Sequence, residues 1–308
     1  GQIERTFEDK RYTTYTDKNL SLPTGAQYAL GKASAKIPGW DYQQIPYIDE
    51  WGRTESTGPF LLRAFNNFIN PAYVSQENIT PLDAENQRVY DATGDKSVIA
   101  DRPGKEITVS REVEKDGESE RVSSKALLTG EQYVRYATER GQISFDIGSD
   151  LISNDVFKSL TPQQKADVLD DAYSYADAVA KSNISAHDPE TWVQDAEESG
   201  VDPALAILYH YSDAKDDTKL TMLLEDDSLS NRQKNALQAF SLSQMSDAAQ
   251  EKWPTAQAFG FSYEDYVKYY PICASSGAGK TKTVIIQDLV DAGMDPAAVF
   301  QFWNIVRK

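Results

Sequence analysis

Helix-start signals are the feature of this sequence that most constrains its fold. A capping hydroxyl accepts a hydrogen bond from an early helix amide, and the side chain of a Gln three residues later accepts one from the backbone amide of the capping residue. This spacing occurs at Thr129 with Gln132, Thr161 with Gln164, and Ser230 with Gln233. An Asp cap followed by Pro opens a helix in a similar way, and it occurs at Asp188-Pro189, Asp202-Pro203 and Asp295-Pro296. The signals predict helices that begin near residues 130, 162, 189, 203, 231, 263 and 296.

Two of these starts belong to an internal repeat. Residues 198–204 and 291–297 share a Gly, an apolar residue, an Asp, a Pro and an Ala in the same order. The Gly can adopt the left-handed conformation that ends one helix, the apolar residue fills the corner, and Asp-Pro opens the next helix. A looser copy occupies residues 226–230, with Leu229 and Ser230 in the apolar and capping places. Residues 126–308 are therefore predicted to be an array of short helical hairpins.

The first 125 residues differ, because turn-forming residues interrupt each short apolar run. Proline disfavours helix at the residue before it, and prolines stand here at positions 23, 38, 46, 71, 81 and 103. Residues 1–57 are predicted to be an extended irregular arm, and residues 58–104 to be short helices and loops. The helix candidates are residues 58–69 and a helix that follows Pro81, turns Val89 and Tyr90 inward and stops at Gly94.

Residues 105–125 carry the strand signal. Ile107, Val109 and Val113 alternate with other residues before Asp116-Gly117, a dipeptide typical of two-residue hairpin turns. Both arms are highly charged, and an isolated hairpin is marginal in water. We therefore expect an exposed β-hairpin that is either mobile or held by a neighbouring segment. The predicted fold class is mainly α, with an extended N-terminal half, this small hairpin and the helical-hairpin array.

Composition narrows the classes of function. The 31 Lys and Arg against 48 Asp and Glu give a net charge of −17 over 308 residues, which disfavours a protein that grips nucleic acid through clustered cations. The single cysteine, Cys273, excludes an internal disulfide and a cysteine-based zinc site. The two histidines, His187 and His210, leave few options for imidazole chemistry.

Residues 274–281 satisfy the relaxed pattern of a phosphate-binding loop. In that motif backbone amides surround the phosphates, the lysine contacts their oxygens and the hydroxyl holds Mg²⁺, roles that would fall to Gly277–Gly279, Lys280 and Thr281. The motif needs a buried strand directly before the loop and a helix directly after it. A helical pattern follows, but residues 262–271 have the pattern of a capped helix that ends at a proline. Nucleotide binding or NTP hydrolysis through this loop is therefore an alternative to our main interpretation.

Three further groups of residues have a chemical and a structural interpretation. His210 lies between two tyrosines, where a packed histidine is favoured over a catalytic base, and Cys273 is favoured as a small packing residue over a nucleophile. An acidic cluster lacks the central Gly of a calcium loop, and a solvated face is favoured for it; it comprises Asp213, Asp216, Asp217, Glu225, Asp226 and Asp227. We expect no catalytic, cofactor-binding or metal-binding residues, no cofactor and no enzymatic activity.

A family resemblance covers residues 127–181. It is carried by Leu128 to Ala137 with Arg140-Gly141, by Leu160-Thr161 with Gln164-Lys165, and by Ala172-Tyr173, Tyr175-Ala176 and Ala180-Lys181. Upstream, three proline-punctuated or aromatic stretches add to it, at residues 37–39, 49–52 and 67–71. The chain resembles a helical module near the C-terminal end of the large internal, ejection or tape-measure-like ("large polyvalent") virion proteins of tailed bacteriophages.

The resemblance implies a structural virion protein that acts by protein–protein contacts in assembly or genome delivery. Its partners would be other phage structural proteins and further copies of itself, in a particle assembled in the host cytoplasm, near DNA but without sequence-specific binding. The aromatic residues of the N-terminal half, Trp40, Trp51, Phe60 and Phe65, would be buried in neighbouring subunits. A helical adaptor outside any virion is the other alternative.

Overall fold

The computed structural model describes residues 12–16, 22–34, 44–54, 80–115, 117–211, 223, 228–274 and 281–307. These residues form twelve α-helices, one 3₁₀ turn and two antiparallel two-stranded sheets. The predicted mainly α fold class is confirmed. The chain divides into two compact units, residues 1–190 and 191–308.

The first unit contains both sheets and five helices. Its strands are β1 (Tyr12–Thr14), β2 (Gln44–Pro46), β3 (Glu106–Lys115) and β4 (Glu118–Leu127). Its helices are α1 (Thr24–Ser34), α2 (Pro81–Thr93), α3 (Gly130–Ser153), α4 (Asp155–Ser159) and α5 (Pro162–Ile184), and Lys96–Val98 form the 3₁₀ turn. Helix α3 packs along α5, and α2 packs against both.

Small residues bring the three packed helices of this unit close together. The Leu82 side chain of α2 lies over Gly148 of α3, where an added Cβ would be 2.6 Å from a Leu82 methyl carbon. On α5, Ala172 and Ala176 are buried beside the larger Leu169. Burial of this apolar surface is the main stabilising contribution to such a helix triple.

The second unit consists of seven helices. They are α6 (Thr191–Ser199), α7 (Pro203–Tyr211), α8 (Asn231–Ser243), α9 (Asp247–Ala258), α10 (Tyr263–Ala274), α11 (Lys282–Asp291) and α12 (Pro296–Arg307). The last four surround an aromatic core that includes Tyr266 and Phe302. The Tyr266 hydroxyl donates to the Ala249 carbonyl over 2.6 Å, so the buried phenol retains a hydrogen-bond partner.

The helix-start predictions rest on local geometry, and most are confirmed. All three predicted capping boxes form, at Thr129, Thr161 and Ser230. The helix predicted after Pro81 begins there, buries Val89 and ends at Gly94 in the left-handed region. Helices also begin at the predicted positions 130, 162, 203, 231, 263 and 296.

The repeat performs the helix stop and start that its residues predict. Gly200 and Gly293 have φ angles of +64° and +99°, and the apolar residues after them, Val201 and Met294, are buried. The Oδ1 atoms of the two Asp caps accept from backbone amides at 3.0 Å (Ala204) and 2.9 Å (Ala297). In the looser copy Ser230 caps α8, while residues 226 and 227 lie outside the described residues.

Two helix boundaries were predicted wrongly. The helix expected at Pro189 begins at Thr191, because the Asp188 carboxylate accepts from the Glu112 amide of β3 at 2.8 Å instead of capping a helix. The helix expected to end at Pro271 continues through it to Ala274, which places Cys273 in the core. The first two long helices of the predicted array are also longer than expected for short helical hairpins: α3 contains 24 residues and α5 contains 23.

The predicted hairpin forms as an unbroken ladder from Glu106–Leu127 to Lys115–Glu118. Ile107 and Val109 at its base are buried with Leu128 and Tyr136, whereas the side chains of residues 118–125 are exposed. The hairpin was expected to be either mobile or held by a neighbouring segment, and it is held. The segment after α5 binds the outer edge of β3, where the Asp188 amide donates to the Ser110 carbonyl at 2.8 Å.

The described part of the N-terminal half packs on its own unit. Trp51 is buried against Phe145 and Tyr173, and its Nε1 donates to the Asp83 carboxylate at 2.9 Å. The expectation that Trp51 is buried in a neighbouring subunit is therefore wrong. The other three aromatic residues of that prediction and the helix predicted over 58–69 lie outside the described residues. Within residues 1–57 the chain also forms helix α1.

Candidate functional site

The loop with the phosphate-binding pattern follows a helix instead of a strand. Helix α10 ends at Ala274, and Thr281 directly precedes α11 without a capping hydrogen bond from its side chain. Residues 275–280, among them Gly277 and Lys280, lie outside the described residues. Both described sheets are antiparallel ribbons in the first unit. Helix α10 therefore stands where the phosphate motif needs a buried strand.

Both histidines are held by packing or hydrogen bonds. The His210 ring stacks on Trp192, with ring centroids 4.2 Å apart and planes 9° from parallel. His187 Nδ1 accepts from the Ser110 amide at 3.0 Å. Burial, and then the charges of Lys181 and Arg121, lower the pKa of His187 below its usual value. His187 is therefore a neutral acceptor that helps to fasten β3 to the chain after α5.

Cys273 and the acidic residues complete the sequence-derived candidates. Burial raises the pKa of the Cys273 thiol to about 11, so it is not a thiolate near neutral pH. The acidic cluster between Asp213 and Asp227 lies outside the described residues. Within the residues that the structure describes, no group of three His, Cys, Asp or Glu side chains is arranged to hold a metal ion.

A polar cleft of about 380 Å³ lies in the first unit, between the 3₁₀ turn with its following loop and helices α3 and α5. Its lining combines three carboxylates with two cations. The lining residues are Lys96, Ser97, Ile99, Ala100, Asp101, Arg140, Asp170, Tyr173, Ser174 and Asp177. The sequence alone does not reveal this cleft, because its charged residues are far apart in the chain and follow no motif.

Asp177 is the most heavily contacted carboxylate of the cleft. It accepts a hydrogen bond from the Tyr136 hydroxyl, pairs with Lys181 Nζ at 2.5 Å and lies 3.5 Å from Arg140 Nε. Burial and the adjacent Asp177 charge raise the pKa of Tyr136 well above its usual value, so it remains a neutral donor. The carboxylate therefore links α3 to α5.

The Arg140 guanidinium extends this link to the loop. Its NH1 donates to the Asp101 carbonyl at 2.8 Å, while NH2 lies 3.5 Å from the Asp101 carboxylate. At the other side of the cleft, burial and then the charges of Asp95 and Asp167 raise the pKa of Asp170. The geometry joins the loop, α3 and α5 through paired charges: the Arg140 guanidinium lies between the Asp101 and Asp177 carboxylates, although its buried Nε makes no hydrogen bond.

The hairpin is highly exposed, since residues 111–115 of β3 and 118–125 of β4 all face solvent. At its far end Val113 and Val122 are 43 % and 45 % exposed. They lie on the same face of the ribbon as the buried Ile107 and Val109, but beyond the core that covers those two residues. This half of the hairpin is the strongest candidate for contact with another chain.

No protein-family model, curated protein or solved structure matches this chain. Among the described helices, none is both long enough and apolar enough to cross a membrane.

Proposed function

We propose that this protein is a structural component of a tailed-bacteriophage virion that works through protein–protein contacts in assembly or genome delivery. The resemblance of residues 127–181 to the helical module of large virion proteins supports the setting. In the structure these residues are helices α3, α4 and α5. They form the packed centre of the first unit and carry the hairpin at its N-terminal side.

The observation that carries the contact function is the hairpin. Two ten-residue strands leave the helical core, and the return strand keeps eight successive side chains in solvent. A ribbon of this length is marginal without further packing, and here one edge is fastened by the chain itself. Such a projecting, partly fastened ribbon suits recognition of another chain through its backbone.

The use of the chemically capable side chains supports the same proposal. His187, His210 and Cys273 serve in hydrogen bonding or packing, and Asp177 with Arg140 links secondary-structure elements. The charge of −17 favours a position beside DNA without a grip on its phosphates.

The test is whether the chain is part of a particle. Phage particles are induced from the strain that encodes this chain, purified by density-gradient centrifugation and washed in high salt. We expect mass spectrometry to find peptides from both compact units in the particle fraction, at a ratio to the major capsid protein that stays constant through the gradient. A chain recovered solely from the soluble lysate would contradict the virion setting and favour the helical adaptor.

Nucleotide binding is tested separately. Calorimetric titration with Mg-ATP is carried out on the wild-type chain and on Lys280→Ala. We expect no saturable heat from either protein. Micromolar binding that Lys280→Ala abolishes would overturn the proposal in favour of a nucleotide-dependent protein.

A further inference from the structure

We infer that the outer edge of β4 is a homotypic docking site, through which two copies of this chain pair as antiparallel strands to form a four-stranded sheet. The inference deepens the contact function proposed above and rests on it. It assigns that contact to one strand edge and one register, neither of which the family resemblance supplies.

The orientation of the β4 backbone follows from the β3 ladder. Ser110 lies opposite Ser123, and the Ser110 amide points away from β4, toward His187. Opposed residues of an antiparallel ladder share their orientation, so the Ser123 amide and carbonyl point away from β3. The same holds at every second residue, from Ser119 to Lys125.

The two edges of the hairpin differ in their occupation. The β3 edge is covered, because the amides of Ser110 and Glu112 donate to His187 and Asp188. Along the β4 edge, none of the described segments pairs with the outward backbone groups. A second copy can therefore extend the ribbon through β4 alone.

Natural proteins usually protect an open edge with proline, a bulge or charged side chains that project over it. The β4 ladder contains no proline and no bulge over its ten pairs. Three of its four charged side chains turn back across the hairpin: Arg121 donates to the Asp188 carbonyl, Lys125 pairs with Glu106 at 2.9 Å, and Glu120 lies 3.8 Å from Lys115. The edge is therefore left open along its length.

Among the registers that pair nearly the whole of β4, charge favours one for self-pairing. With Val122 opposite Val122 of the second copy, Arg121 faces Ser123 and Glu120 faces Ser124. A shift by two residues in one direction places Arg121 opposite Arg121, and a shift in the other direction places Arg121 opposite Lys125. Like charges directly opposed destabilise a ladder, so the register centred on Val122 is favoured. It also covers a valine that is 45 % exposed in the single chain.

Cysteine cross-linking tests this register in the full-length chain. Val122→Cys places two thiols on the two-fold axis in a non-hydrogen-bonded pair, where Cβ atoms are about 4.5–5.5 Å apart, near the separation that a disulfide needs. Val113→Cys is the matched control. Val113 has similar exposure on the same face, but it lies in β3, which would be the outer strand of each copy in the four-stranded sheet. Cys273 is buried and should not contribute.

Under mild oxidation we expect Val122→Cys to give at least about tenfold more disulfide-linked dimer than Val113→Cys, because β3 strands in the four-stranded sheet are about 14 Å apart. Equal linking of the two variants would overturn the register. Absence of linked dimer from Val122→Cys, at concentrations where sedimentation detects a wild-type dimer, would also overturn it.

Proline substitution tests the edge without a new cross-link. Ser123→Pro removes an outward amide and leaves the β3–β4 backbone hydrogen bonds in place. Ser123→Ala keeps the amide but, like the proline variant, loses the side-chain hydrogen bond to Ser110, and it is therefore the control. Sedimentation equilibrium should show at least about tenfold weaker dimerisation for Ser123→Pro and unchanged dimerisation for Ser123→Ala. Equal dimerisation of all three proteins, or a wild-type chain that stays monomeric at millimolar concentration, would overturn the homotypic site.

The inference and the proposed function can fail separately. A chain found in purified particles whose Ser123→Pro variant dimerises normally would refute the docking edge and leave the virion function standing. A chain that dimerises through Val122 but is absent from particles would support the docking edge and refute the virion setting.

Discussion

At the scale of single residues, two glycines of the first unit, Gly52 and Gly141, lie backbone to backbone. An added Cβ at Gly141 of α3 would lie 2.1 Å from the Gly52 nitrogen and 2.5 Å from the Trp51 carbonyl carbon. Both obstacles are backbone atoms, which cannot move aside as a flexible side chain can. The sequence fragment Arg140-Gly141, part of the family resemblance, thus has a physical reason: it allows the buried Trp51 segment to lie directly on the helix.

We expect Gly141→Ala to destabilise the first unit by about 1–3 kcal/mol, the usual cost of overpacking a rigid contact. Hydrogen exchange at the amides of α3, followed in increasing urea, measures the change in the first unit. Gly25→Ala is the control: it also adds a methyl group to a helix, but nothing lies within 4 Å of that Cβ, so the stability should stay the same or rise slightly. Equal stability of the two variants would show that the Gly52 contact does not form in solution.

At the scale of elements, the attachment of β3 to the chain after α5 should depend on pH. His187 accepts the Ser110 amide as a neutral ring, and its pKa is lowered chiefly by burial, further by Lys181 and Arg121, and is opposed by Asp177 and Asp188. Because the folded-state pKa lies below the unfolded value, the unfolded chain binds more protons. This contribution to stability is therefore present above about pH 6.5 and is lost as the pH falls through the folded-state pKa.

His187→Asn should remove that part of the pH dependence, since an Asn Oδ1 can accept the same amide without titrating in this range. Hydrogen exchange at the Ser110 amide, followed from pH 7.5 to 5.5 and corrected for intrinsic rates, is the measurement. We expect protection to fall with pH in the wild-type chain and to change less in the variant. A parallel loss of protection in both proteins would contradict the role of His187 in this pH dependence.

Helix α10 offers a second test at this scale. Pro271 lies in its interior, where proline has no amide to offer the carbonyl four residues earlier and crowds it. Pro271→Ala should stabilise the second unit by about 1–3 kcal/mol. Part of this gain is offset because the unfolded chain has more conformational entropy with alanine than with proline. Thermal unfolding followed by circular dichroism would show the gain. A destabilised variant would mean that Pro271 itself is needed to place Cys273 in the core.

Across the whole molecule, most of the described helix starts could be predicted, because a capping side chain bonds to a backbone amide within four residues of it in the sequence. The Asp188 cap could not, since its carboxylate serves an amide 76 residues away, and no local pattern announces such a partner. The cleft follows the same rule, with Arg140 bound to Asp101 over a separation of 39 residues. The helix through Pro271 was missed because burial of the following turn outweighs the local preference of proline.

The net charge of −17 makes a prediction for the whole molecule. Excess negative charge repels itself more strongly in the compact state than in the expanded one, and salt screens that repulsion. Raising NaCl from about 0.05 to 0.5 M shortens the screening length from roughly 14 to 4 Å, so both compact units should unfold at a higher temperature in calorimetry at pH 7.5.

The effect should shrink as the pH approaches the isoelectric point near 4.6, because the self-repulsion disappears there while the apolar contacts remain. Measurements at pH 7.5 and 5.2 thus separate charge screening from a general effect of salt on apolar burial, which would act at both values. A lower unfolding temperature in high salt at pH 7.5 would contradict this prediction. It would mean that ion pairs such as Arg140 with Asp101 and Lys165 with Glu85 stabilise the protein by more than the repulsion among its excess negative charges destabilises it.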